Sequence, residues 1–270
     1  MMIKKSNVVL ITGHERRHRY VALMLSKEVN LIGTVVEKKR IAVDNKRIVI
    51  NKDKKVFLQH LTERDEVEKR LLGDPRFSTV VPRLDVDTGD VNLKSTYCWV
   101  RDLKPDFVIL YGSSIIKPPL LNDSSYIVVN MHLGLSPYYR GSGTNFWPLV
   151  NNCPECIGTT IHLAVSNVDA GPILAQVRPD IIVTDGPHEI GTKAIIAGVR
   201  TMSLALNLLI NNKLIPAEQN TSNGSVFKRS DFNADSVNDM RNNFKQGMLK
   251  EYVNNKKNRN SLYPIVETSQ

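Results

Sequence analysis

Two short apolar runs near the start of the chain restrict its architecture more than any other feature. "NVVLITG" (7–13) and "NLIGTVVEKK" (30–39) read as strands buried in a sheet, with branched side chains on both faces. Between them "HERRHRYVALMLSKE" places Tyr20, Leu23 and Met24 at helical spacing behind a strongly basic first turn. Strand, helix and strand within about thirty residues form a crossover unit. The expectation is therefore an α/β protein with a Rossmann-like, doubly wound, mostly parallel sheet.

The remaining elements extend that reading. Residues 40–53 are polar and irregular, and 54–74 form a helix with one break, ended by Gly73. "STYCWVRDLKPD" leads into a buried strand, "FVILYG" (107–112), and "YIVVNMH" (126–132) is the next one. "IGTTIHLAVS" (157–166) alternates as a strand, with "GPILAQVRPDI" (171–181) as its antiparallel neighbour, and 188–212 is a long helix. Composition shifts after Pro216, where a small hairpin around Gly224 and a short polar helix are expected. Residues 1–216 would then be the catalytic domain. Residues 217–270 would be an extension laid over it, too small for a core of its own.

Charge and cysteine content remove several function classes. The chain carries 36 Lys+Arg against 27 Asp+Glu, a net charge of +9. Its basic residues are dispersed and have no aromatic–basic ladder, which argues against nucleic acid and leaves small anionic ligands open. No apolar run approaches the roughly 20 residues of a membrane span, so no membrane partner is expected. "MMIKKSNVVLITG" shows no cleavage site, which makes the cytoplasm the expected location. Cys153 and Cys156 form one C-x-x-C, "CPEC", without a second pair, and read as incidental thiols with no metal.

Ligands of open parallel sheets bind beyond the carboxyl ends of the strands. Polar material follows several strands here: "TGHERRHR", "YGSSIIK", "NMHLGLSPYYRG" and "SNVDAGP". Asn130 and His132 stand two residues apart on one strand, so amide and imidazole share a face while Met131 points away. Asp169 lies in an Asp-x-Gly turn, where Gly171 permits positive φ and close backbone approach.

The stretch "NMHLGLSPYYRG", followed by "GTTIHLAVSNVDAGPILAQ", resembles the folate-dependent formyltransferases. These include the glycinamide ribonucleotide, methionyl-tRNA and sugar-nucleotide N-formyltransferases. The resemblance is strong over 105–180 and fades in 40–100 and after 216. It implies the formyltransferase fold, with Asn130, His132 and Asp169 as the catalytic trio and His162 as a structuring histidine. The implied reaction moves a formyl group from 10-formyltetrahydrofolate to an amine through a tetrahedral intermediate, without a metal. His132 could act as base or cationic donor, Asn130 as an oxyanion donor, and Asp169 would orient His132 and favour its protonated form. The folate would lie along Gly112, Ser113, Ser114, Ile115 and Ile116 on one side and Val165, Ser166, Asn167 and Val168 on the other.

Departures from the family pattern bear on the acceptor. The loop after the first strand has the single glycine Gly13, and His14, Arg16 and Arg17 could hold a phosphate with the helix amides. Tyr139, Arg140 and Gly141 could shape the acceptor pocket. Leu133 to Pro137 replace the Pro-Ser-Leu-Leu-Pro of many relatives, and 217–270 is too short for a tRNA-binding barrel. The leading acceptor is a phosphate-bearing small amine, an amino sugar on a nucleotide diphosphate, and a homodimer is compatible with this reading. Two other readings remain open: a formyltetrahydrofolate hydrolase, and a non-catalytic scaffold that binds anions or nucleic acid.

Overall fold

A computed structural model describes residues 6–38 and 51–267. Most of the stretch expected to be irregular at 40–53 lies outside them. In the first half, β1 (Asn7–Gly13), α1 (Arg16–Glu28), β2 (Asn30–Lys38), α2 (Asn51–Leu72), β3 (Arg83–Asp87), α3 (Lys94–Asp102), β4 (Phe107–Tyr111) and β5 (Ile127–His132) follow one another. Then come β6 (Tyr139–Gly141), α4 (Trp147–Val150), β7 (Thr159–Leu163), β8 (Ile173–Val177) and α5 (Pro187–Ile210). The chain closes with β9 (Ser225–Phe227), α6 (Ala234–Lys245), α7 (Met248–Asn254) and α8 (Lys256–Ser261).

Seven strands form the central sheet in the order β3-β2-β1-β4-β5-β7-β8. The first five are parallel, while β7 and β8 run antiparallel to their neighbours. This is the Rossmann-like α/β arrangement that the sequence predicts. Strand alternation divides the core cleanly. Val8, Leu10, Val129 and Met131 face α1 and α5, whereas Val9, Ile11, Val108 and Val128 face Val100 of α3. Helix α5 is long and apolar enough by composition to cross a bilayer. It is a core helix instead, with Ile195, Val199 and Met202 buried against the sheet.

One local expectation changes and two elements are added. The 54–74 helix runs unbroken from Asn51 and stops at Gly73, whose φ of 70° is the left-handed value that ends helices. Strand β3 was not expected, because "RLDVD" buries only one half-wet face at the sheet edge. The segment before "FVILYG" is helical as α3, with Thr96 and Val100 turned inward.

The segment after 216 forms no hairpin around Gly224. Instead β9 pairs in parallel with β6, Tyr139 opposite Ser225 and Gly141 opposite Phe227. Gly224 allows this close approach, since a Cβ there would sit 1.7 Å from the Pro137 carbonyl oxygen. One short helix was expected and three form. Val237 and Met240 of α6 and Leu249 and Tyr252 of α7 bury against Leu149, Ile157 and Ile190. Arg259 of α8 closes the contact through a 2.9 Å ion pair to the buried Glu155 of the "CPEC" turn. Cys156 of that turn is buried against Tyr139 and Trp147, and burial pushes its thiol pKa up. A thiol held protonated among aromatic rings is a packing residue.

Candidate active site

The site is built where the sheet changes direction. In the antiparallel β5–β7 pair, Asn130 stands opposite His162 and His132 opposite Thr160. The Asn130 and His162 side chains are thus cross-strand neighbours, and Asn130 Nδ2 lies 3.0 Å from His162 Nε2. Nδ1 of His162 is 2.8 Å from the Leu163 carbonyl oxygen, which must accept a proton from it. That contact leaves Nε2 as the acceptor for the Asn130 amide. The second amide proton of Asn130 goes to Asp169 Oδ1 at 3.1 Å. Both amide protons are therefore committed. Asn130 presents its carbonyl oxygen, not the oxyanion donor expected from the sequence.

Asp169 reaches the strand by an indirect route. Because β7 runs antiparallel, its following loop leaves the sheet beside Val128, where Ala164 N–H donates to the Val128 carbonyl. The loop then folds back over the face. Asp169 takes the left-handed conformation, φ 48°, which aspartate tolerates better than most side chains. The sequence assigned that role to Gly171, whose φ is not positive. Gly171 is needed for packing, because a Cβ there would meet the Leu163 carbonyl oxygen at 1.9 Å. So placed, Asp169 Oδ2 accepts from the Gly141 backbone N–H at 2.9 Å and lies 3.2 Å from His132 Nδ1.

The electrostatics follow from burial. Removal of water penalises the cationic form of His132 and lowers its pKa from the ordinary 6.5, although the Asp169 charge pulls the other way. The pull of Asp169 toward the protonated form, expected from the sequence, is present, and burial outweighs it. Burial alone would raise Asp169, but its contacts with His132 and the Gly141 N–H hold it well below the usual carboxylate range. An ionised carboxylate is the stronger acceptor, so Nδ1–H of the neutral ring points at Asp169. Nε2 faces the Tyr139 carbonyl oxygen at 3.1 Å and Thr144 Oγ1 at 3.2 Å. Thr144 gives its own proton to the Leu133 carbonyl. A second ring proton on Nε2 therefore has acceptors already in place.

The two loops assigned to the folate flank this centre. Gly112 has φ 65° and Ile116 is buried, while Ile115 is 64% exposed. Across from them Val165 and Val168 are exposed, as are Ser166 and Asn167. Ile115, Val165 and Val168 are thus exposed apolar side chains on the loops that follow β4 and β7. Sequence reasoning missed Glu37, the penultimate residue of β2, which is fully buried and accepts from the backbone N–H of Gly89 and Ser114, each at 2.7 Å. Its signal was an acidic residue closing the apolar run "LIGTVVEKK". Thr144, which shows no pattern in the sequence, was missed as well.

The residues expected to hold a phosphate are arranged differently. Arg16 donates to the Gly73 carbonyl at 2.6 Å and pairs with Asp74 at 3.0 Å. Arg17 pairs with Glu15, and with Glu68 of α2 at 2.9 Å. The basic turn is therefore a clamp between α1 and α2. The His18 ring fills the space beside Gly13 and Gly112, where a Cβ would meet it at 2.7 and 2.5 Å. His14 keeps a buried Nδ1 with no partner among the described residues. Tyr139 is also committed: it stacks on Phe227, ring centroids 5.7 Å apart, and its hydroxyl accepts from Asn151. Arg140 places Nη2 3.3 Å from the Thr221 carbonyl and keeps a buried Nε with no hydrogen-bond partner among the described residues.

Gly141 has φ 93°, and an added Cβ would stand 2.2 Å from the Phe227 carbonyl oxygen. Gly141→Ala is expected to cost at least about 1–3 kcal/mol from the backbone alone and to pull the Gly141 N–H off Asp169. The checks are the urea midpoint and turnover. An unchanged midpoint would show that the β6–β9 ladder yields freely.

A model of the formyl transferase family matches residues 8–206. A methionyl-tRNA formyltransferase of Geobacillus sp. (strain WCH70) is 32% identical over 127 residues, covering 47% of this chain. The match spans only 40% of that relative's length. Among solved structures, the chain superposes on an N-formyltransferase from Helicobacter canadensis in complex with folinic acid and dTDP-3-aminofucose. The TM-score is 0.53 with 19% identity, over 88% of this chain and 79% of that one. A phosphoribosylglycinamide formyltransferase from Anaplasma phagocytophilum gives a TM-score of 0.55 with 15% identity, over 84% of this chain and 100% of that one. At such identities the superpositions establish the fold. The family match extends over well over half of the chain, from β1 into α5, and includes the strand end that carries Asn130 and His132. The chain belongs to the formyl transferase family.

Proposed function

We propose that the protein transfers a formyl group from 10-formyltetrahydrofolate to the primary amine of a small anionic acceptor. The observation that carries this is the joining of Asn130, His132 and Asp169 by direct contacts of about 3 Å at a strand end. The incoming amine is held by the Asn130 carbonyl oxygen and attacks the formyl carbon. Its proton passes to the neutral His132, and the resulting imidazolium, paired with Asp169, stabilises the developing oxyanion. As the bond from carbon to the folate nitrogen breaks, His132 returns the proton to that nitrogen. One C–N bond forms, one breaks, and the enzyme ends as it began. The folate is received between the loops at 112–116 and 165–168.

The acceptor we favour is a nucleotide-linked amino sugar. Support comes from the Arg140 guanidinium, whose buried Nε has no partner among the described residues and which adjoins the Asp169-bound Gly141, and from the dTDP-3-aminofucose in complex with the Helicobacter neighbour. The methionyl-tRNA formyltransferase match favours a second acceptor, an aminoacyl-tRNA amine. The test offers the protein 10-formyltetrahydrofolate with nucleotide-linked amino sugars, glycinamide ribonucleotide or methionyl-tRNA in turn. A gain of one formyl group on the sugar, read by mass spectrometry, is the expected result. Formyl-folate consumed without any amine would identify a hydrolase instead, and no consumption would end the catalytic reading.

A further inference from the structure

Away from the strand ends, a second cluster of donor groups lies between α2 and α5. His60 and Glu63 stand three residues apart on α2, so they share one helix face. His188, in the first turn of α5, meets them there. A ring nitrogen of each histidine and a carboxylate oxygen of Glu63 all lie within 4.8 Å of one another. The two imidazole centroids are 4.5 Å apart, and His188 Nε2 is 3.9 Å from Glu63 Oε2. That separation is too long for a hydrogen bond.

Two of these groups carry an unmet demand. Nδ1 of His60 and Nε2 of His188 are buried and have no hydrogen-bond partner among the described residues. His60 is only 8% exposed, and the rings of Phe146 and Phe232 stand over it at 5.7 Å. A buried polar nitrogen without a partner costs about 1–3 kcal/mol, and two side by side call for a common partner. The imidazoles face each other, so neither can be satisfied by a rotation that serves both. A cation can serve both.

We infer that His60, Glu63 and His188 form a binding site for a divalent transition-metal ion of the zinc class. Two imidazole nitrogens and one carboxylate oxygen are a borderline-soft set suited to zinc, and three protein ligands leave a position for water. Tetrahedral zinc would draw the donors to about 3.4 Å from one another, a closure within reach of side-chain torsions. Arg241 already holds both Glu63 oxygens at 3.1 and 3.2 Å, so it would orient the ligating carboxylate from behind. The positive charge of Arg241 opposes the ion and moderates its affinity. The ion would tie α2 to the start of α5, reinforcing the Arg70–Glu189 pair about two turns further along α2. The site is independent of the formyl-transfer reading.

The test uses the full chain after chelator treatment and dialysis. Zinc is expected to bind once per chain and raise the thermal midpoint. Cobalt(II) is expected to give the visible d–d bands of a low-coordinate nitrogen–oxygen site, with no thiolate charge-transfer band. His188→Gln and the partly exposed Glu63→Gln should each lose the cobalt bands and the zinc-induced shift while keeping a cooperative melt without metal. Cys153→Ser, which alters the other metal-capable motif, should keep both. Absence of cobalt bands in the unaltered chain, their survival in both ligand variants, or their loss in Cys153→Ser would each overturn the site.

Discussion

His132→Ala is expected to lower kcat by about 10²- to 10⁴-fold, the span that a positioned acid–base group supplies, while folate binding survives. The ring touches Asp169, Tyr139 and Thr144, whereas the exposed Ile115, Val165 and Val168 belong to other segments. Chemistry and co-substrate affinity should therefore separate. Turnover is read by single-turnover kinetics and binding by titration with a non-reactive folate. Removing a buried ring also leaves a cavity, so His132→Gln, which retains volume and a polar end, serves as the second variant. Near-normal turnover in both would sink the proposed mechanism.

Asp169→Asn should cost about 10²-fold or more in kcat and shift the pH profile in a defined direction. The His132 base works only when neutral, and burial already sets its pKa below the ordinary 6.5. The acidic limb of kcat/KM should therefore lie below the range of a free imidazole. The Asp169 charge raises the His132 pKa, so removing it must lower that pKa further. The limb moves to still lower pH while the plateau falls, because Nδ1–H has lost its ionised acceptor. Asparagine accepts the left-handed backbone as readily as aspartate, so the turn should hold. A limb displaced toward higher pH would show that Asp169 does not act on His132 by charge.

How much of this was legible in the sequence follows from the range of each interaction. The strands at 7–13, 30–38, 107–111 and 127–132 were readable because strands buried in a parallel sheet are apolar along their whole length. Strand β3 escaped because it lies at the edge, where only Leu84 and Val86 need be apolar. The pairing of β9 with β6 escaped for a different reason. Three residues carry no periodic signal, and their partner is more than eighty positions away. Arg16 and Arg17 looked like a phosphate cradle since their acidic partners, Asp74 and Glu68, lie on another helix and its end.

Sequence alone determined the local facts: which strands are buried, that Asn130 and His132 share a face, and that Asp169 belongs to a tight turn. The first two depend on strand geometry repeated every two residues, and the third on the turn chemistry of Asp and Gly. Only tertiary structure decided what the groups do to one another. The β5–β7 register set His162 against Asn130, used both amide protons of that residue, and left its carbonyl oxygen for a ligand. Burial, a property of the whole fold, outweighed the Asp169 charge and set the His132 pKa below the ordinary value. Proton positions and pKa values depend on neighbours in space, and a linear pattern of residues does not specify them.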